Sequence, residues 1–184
     1  MAMSALAAAG QESPRFASMS SSRLLLVPAQ EVLGTSDGRA WLARFDSVLT
    51  VQLEEGGIGK GWAYPKDAVR YARLNPTYTS DPYTLGAQPL KSDKVKDGFD
   101  LPEPFASRLR ALLAIADART AVVPIVARVD STAVPRVVRL QLMFVDGRSR
   151  QVLWTGTLEA KYAGHALAAA DSLALMTSRL FVSR

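Results

Sequence analysis

The side chains that most often carry chemistry are scarce in this chain. Its 184 residues include no cysteine and a single histidine, His165. Without sulfur ligands there is no disulfide, thiol nucleophile, zinc knuckle or iron–sulfur cluster, and no lipid joined through a thiol. His165 follows Gly164 at the start of an expected helix, with no partner for acid–base catalysis or metal ligation readable near it. It reads as a helix-start or surface residue. Asp117 and Arg119 flank the beginning of an apolar strand, where a local ion pair or cap suits them better than an acid–base pair. The run Gly56-Gly57-Ile58-Gly59-Lys60-Gly61 offers backbone N–H groups and a lysine. A phosphate loop, however, needs glycine, four residues and then Gly-Lys-Ser/Thr between a strand and a helix, whereas this run leaves a helix and leads to Trp62. A helix-to-strand turn is the reading. No catalytic residue, no cofactor site and no metal site is assigned.

Binding is the chemistry that remains. Lys and Arg number 22 against 17 Asp and Glu, a formal net charge of +5. Arg136, Arg139, Arg148 and Arg150 fall around one expected hairpin, and such a patch would suit phosphates, lipid headgroups or an acidic protein surface. A solvated face is the competing reading. A nucleic-acid binder concentrates its charge beside exposed aromatics, whereas arginine here is spread through both halves, so nucleic acid ranks below protein as a partner. Trp62, Tyr64, Tyr71, Tyr78 and Tyr83 lie in or beside an irregular central stretch. A loop of Tyr, Pro and Asn has the composition of an interaction surface. Residues 77–88, with Tyr78, Pro82 and Tyr83, are therefore the expected contact segment.

The elements that must position these residues follow from periodicity. Apolar residues are 48% of the chain and charged residues 21%, an ordinary globular balance. Residues 23–29 (RLLLVPA) form a continuous apolar run stopped by Pro28, as in a strand buried on both faces. Thr35, Ser36 and Asp37 offer caps to a helix over 39–55, where Trp41, Leu42, Phe45, Val48, Leu49 and Leu53 recur at three- and four-residue spacing before Gly56-Gly57. Residues 61–64 predict a short strand, and Pro65 opens a helix to Arg73. Residues 77–100 are rich in Pro, Gly, Asp and Lys and predict a long surface loop, functional or ordered by a partner. A helix from Pro102 or Pro104 places Phe105, Leu109, Leu112, Leu113 and Ala116 on one face. Three β-rich runs follow, over 120–129, 136–145 and 151–162, the last two joined by Asp146-Gly147-Arg148-Ser149. They predict an antiparallel meander, closed by a helix over 164–181 with a small-residue stripe. The class is α/β: a mixed, mostly antiparallel sheet with helices packed mainly on one face, plus an extended N-terminal tail. Residues 1–22 form the tail and 23–184 a single domain.

No run approaches the roughly 20 apolar residues of a membrane-spanning helix. Residues 1–10 (MAMSALAAAG) end in a small-residue stretch like a signal cleavage site but lack a charged start and a Leu/Val-rich centre. A signal remnant and an Ala/Ser-rich leader both stay open.

Three strings together resemble a known group. Leu24 to Pro28 (LLLVP) precedes a helix; Asp117 to Pro124 (DARTAVVP) opens a strand; Asp146 to Trp154 (DGRSRQVLW) precedes an Ala-rich closing helix. This arrangement, over about residues 23–181, resembles the bacterial envelope fold of the TolB amino-terminal domain, the curli-export lipoprotein and the penicillin-binding-protein activator lipoproteins. In that group the hairpin runs D-x-x-S/T-G-x-x-x-W, so Arg150 stands where glycine is usual, and the lipobox cysteine has no counterpart here. The resemblance implies a non-enzymatic protein that docks onto other envelope proteins or oligomerises. The expectation is an accessory or scaffold subunit of a bacterial envelope or membrane complex, periplasmic or membrane-peripheral with the cytoplasm left open. Its partners would be other proteins of that complex, with self-association as a further expectation. A binder of nucleic acid or an anionic surface through the Arg-rich hairpin is the alternative. A hydrolase ranks last, for want of His and Cys.

Overall fold

The computed structural model describes residues 23–57 and 60–181. The tail expected over residues 1–22, and Ile58 and Gly59 of the glycine run, lie outside them.

β1 (Leu24–Leu26) is buried throughout and pairs in parallel with β3 (Thr120–Asp130); β2 (Val32–Leu33) joins the same edge of β3, also in parallel. β4 (Val137–Asp146) and β5 (Gln151–Lys161) complete an antiparallel meander, so the sheet order is β1, β3, β4, β5. The strand expected over 61–64 shrinks to one bridge. Ala63 N–H donates to Leu24 O at 2.9 Å, Leu26 N–H donates to Ala63 O at 2.8 Å, and Pro65 then turns the chain into a helix.

α1 (Gly38–Glu55) begins where the Asp37 carboxylate accepts the Ala40 N–H and ends at Gly56. Its stripe of Trp41, Phe45, Leu49 and Leu53 is wholly buried, at four-residue spacing. α4 (Ala166–Arg179) lies beside it over the same sheet face, bringing Ala169, Ala170, Leu173 and Ala174 into that core. The two helices are tied by the Trp41 indole N–H donating to Ala166 O at 2.9 Å and by the Arg44–Asp171 pair. Phe144, Trp154, Trp62 and Phe181 close this layer in edge-on and tilted contacts.

The second face carries less helix. α2 (Pro65–Leu74) and α3 (Phe105–Ala116) supply Ala68 and the Phe105, Leu109, Leu112 and Leu113 stripe. The remaining cover comes from residues 77–101, and here the structure corrects the expected surface loop. Leu85, Ala87, Leu90, Val95 and Leu101 are all buried against β3 and β4, with a single 3-10 turn over Gln88–Lys91. The segment is ordered by its own apolar anchors and is one wall of the core. Sequence periodicity misses this, because anchors two to six residues apart in an irregular backbone fit neither helix nor strand spacing.

Candidate docking groove

The four arginines grouped by their closeness in sequence are divided by the fold. Arg148 and Arg150 sit in the turn between β4 and β5, whereas Arg136 and Arg139 are at the other end of the hairpin. β4 is 10 residues long, and at about 3.3 Å per residue most of its length separates the two pairs. No single cationic patch forms from them. Arg136 donates to Gly164 O, Arg139 pairs with Glu159 across the strands at 2.7 Å, and Arg150 pairs with Glu103 at 2.6 Å.

The hairpin turn itself is built by Asp146. Its buried carboxylate accepts the N–H groups of Arg148 at 2.7 Å and Ser149 at 3.1 Å and the Arg119 guanidinium at 2.6 Å. Burial pushes this carboxyl up, but the Arg119 guanidinium and the two N–H groups outweigh it and hold the group below the ordinary aspartate value. Arg119 thus pairs with Asp146 and not with Asp117, which is the left-handed C-cap of α3 at φ 51°. His165 is exposed at the N-cap of α4, without a side-chain capping bond. Among the described residues no group of three or more His, Asp or Glu is placed to hold a metal ion, and no helix is long and apolar enough to cross a membrane.

The 77–88 segment also divides. Pro82 is buried, and its carbonyl accepts the Gln30 side-chain amide at 2.8 Å. Tyr83 is half-buried against Asp46 of α1. Burial raises the Tyr83 phenol first, and the Asp46 and Asp81 charges raise it further. Tyr78 alone of the three is turned outward, 64% exposed, one helical turn past Leu74, which is 72% exposed at the end of α2.

Tyr78 and Arg150, distant in sequence, meet on one surface feature. An open groove of about 520 Å³ runs along the outer side of α3, lined by Tyr78, Glu103, Ala106, Ser107, Arg110, Ala111, Ala114 and Arg150. Its lining brings together three alanines, one serine hydroxyl, one phenol, two guanidiniums and one carboxylate. The Glu103 carboxyl is held below its ordinary value first by Ser107 and further by Arg150, so it is fully charged at neutral pH. The Arg110 guanidinium has no ion-pair partner among the described residues. Arg150 holds a left-handed backbone at φ 61°, a conformation that costs a side-chain-bearing residue roughly 1 kcal/mol or more. Arg110, Ser107 and Leu74 did not stand out in the sequence. The available signal was the polar side of the α3 period, where Ser107, Arg110, Ala111 and Ala114 fall on one surface.

No family model and no curated protein matches the chain. Solved structures similar to it include the C-terminal domain of LpoB from Salmonella enterica, at 10% identity and TM-score 0.46, covering 76% of this chain and 82% of that one. A PelC dodecamer from Paraburkholderia phytofirmans is 15% identical with TM-score 0.40, covering 88% of this chain and 86% of that chain. Lipoprotein GNA1162 from Neisseria meningitidis is also 15% identical with TM-score 0.40, over 79% and 86%.

Proposed function

We propose that this chain is a non-catalytic accessory or scaffold subunit of a bacterial envelope or membrane complex, acting by protein–protein contact through the α3 groove. The observation that carries this reading is Arg150. A glycine would adopt its backbone without steric strain, yet the position holds an arginine whose guanidinium is held by Glu103 in a groove that also takes in an exposed tyrosine. Strain kept at a residue whose side chain faces an open groove is expected where that side chain has a task. Tyr and Arg are the anchor types of protein contacts, and here they share a groove with small residues; the unpaired Arg110 favours a partner with an acidic side chain beside an apolar one. The envelope setting, periplasmic or membrane-peripheral, is supported by the strings over residues 23–181 quoted above.

A photocrosslinking residue introduced at position 78 in cells tests the reading. A discrete adduct with an envelope protein is expected from position 78 and none from position 134, a site 98% exposed on a distant turn. Arg150→Gly should cut the adduct severalfold without loss of thermal stability, because glycine relieves the backbone while removing the guanidinium. The same adducts from both positions, full yield from Arg150→Gly, or a cytosolic partner would overturn it.

A further inference from the structure

The outer edge of the sheet is treated differently along its length. β5 is the last strand, so one row of its backbone groups faces away from β4. Over the first half of β5 the chain covers that row itself. Leu101 N–H donates to Arg150 O at 2.8 Å, Val152 N–H to Phe99 O at 2.9 Å, Gly98 N–H to Val152 O at 2.8 Å, and Thr155 N–H to the Asp97 carboxylate at 3.2 Å. The cover stops there. Tyr162 N–H donates inward to Arg136 O and Thr155 N–H outward to Asp97, so alternation turns the N–H and C=O groups of Thr157, Glu159 and Lys161 outward. None of these three has a backbone partner on that side among the described residues.

We infer that residues 157–161 of β5 are an interface for a second copy of this chain, added antiparallel across a two-fold axis at Ala160. The charge pattern selects both the partner and the register. Outward-bonding residues must face one another, which permits a two-fold axis at any of residues 157 to 161. An axis at 159 sets Glu159 against Glu159, and one at 161 sets Lys161 against Lys161, and like charges directly opposite are unfavourable. An axis at 157 or 158 brings Glu159 or Lys161 respectively against Thr155, whose N–H is already taken by Asp97. An axis at 160 sets Glu159 of each copy opposite Lys161 of the other, and each such pair exchanges both backbone hydrogen bonds. On the opposite face it sets half-buried Leu158 against Tyr162. Glu159 already pairs with Arg139 on the adjacent strand, so the second copy's lysine would place that carboxylate between two cations. The surface lies at the far end of β5 from Arg150 and its groove.

Two measurements on the full chain test this. Light scattering after size-exclusion chromatography should give twice the chain mass for the native protein and once the chain mass for Lys161→Glu, which sets two carboxylates face to face. The exchange Glu159→Lys with Lys161→Glu, made together with Arg139→Glu so that residue 159 keeps an opposite charge across from it on β4, should restore the doubled mass, since every charged pair then has its signs reversed. Because the chain has no cysteine, Ala160→Cys introduces a single thiol, at a position 5% exposed where random collision is suppressed. Facing residues at such an axis stand about 4.5 Å apart between Cα atoms, within disulfide range. Oxidation should therefore yield a covalent dimer, and adding Lys161→Glu should reduce it at least fivefold. A native protein of single mass at all concentrations, a doubled mass that survives Lys161→Glu, a folded charge exchange that stays monomeric, or no crosslink at position 160 would overturn the inference.

Discussion

Asp46 faces inward from α1 into a position where a carboxylate is poorly solvated. One oxygen accepts the Ala29 N–H at 3.1 Å and so fastens the segment leaving β1, while the other is buried without a bond of normal geometry. Burial pushes this carboxyl up to about 7, and the Ala29 N–H and the neighbouring Tyr83 hydroxyl recover only part of that. The folded state therefore holds its proton more tightly than the unfolded chain, whose ordinary value is 3.8. The stability present below about pH 4 is lost as pH rises toward 7, by on the order of 4 kcal/mol, and the penalty is constant above that. Asn keeps the acceptor for Ala29 without the titration. Asp46→Asn should match the native protein near pH 4 and exceed it in urea midpoint at pH 8, and equal pH slopes for the two would show that Asp46 is ionised throughout.

At the scale of elements, the segment over 77–101 decides how the second face is closed. Leu90 is fully buried at its 3-10 turn, and the turn is clamped by the Gln141 side-chain amide donating to Leu90 O at 2.9 Å. Leu90→Ala should cost about 2–5 kcal/mol as the cavity is only partly refilled. Amide exchange should rise over residues 84–95 before it rises in β3 or β4. If the loss is uniform across the sheet, the segment is not a separate opening unit. The closing helix needs no such clamp, because the small residues of α4 bring it close to the sheet and to α1.

For the whole molecule, the two proposed surfaces occupy opposite ends of β5, one at the turn with Arg150 and one at the free edge. They should act independently. Arg150→Gly is expected to keep the doubled mass, and Lys161→Glu to keep crosslinking from position 78, with light scattering and adduct yield as the readouts. If both hold, a two-fold pair presents two grooves, which raises effective concentration toward a partner with repeated sites. Loss of both properties in either variant would mean that the groove and the edge are one interface.

Much of this architecture is legible in local pattern. The helices over 38–55, 65–74, 105–116 and 166–179 carry period 3.6 because each buries one face, β5 alternates for the same reason, and β3 and β4, covered on both faces, stand out as long apolar β-rich runs; each of these signals is written into neighbouring residues. Their ends are legible too, through Asp37, Pro65 and the Asp146 turn. The candidate sites are not written that way. Tyr78, Arg110 and Arg150 lie far apart along the chain and meet only because α3 packs beside the β4–β5 turn, while four arginines close in sequence are parted by the length of a strand. Pro82 and Tyr83 have the composition of a contact loop, yet burial spends them on Gln30 and Asp46. Sequence alone determined which elements form, since that depends on contacts a few residues away. Which side chains share a surface, and which half of an edge is left uncovered, was decided only by tertiary structure, because both depend on packing between segments that no local period connects.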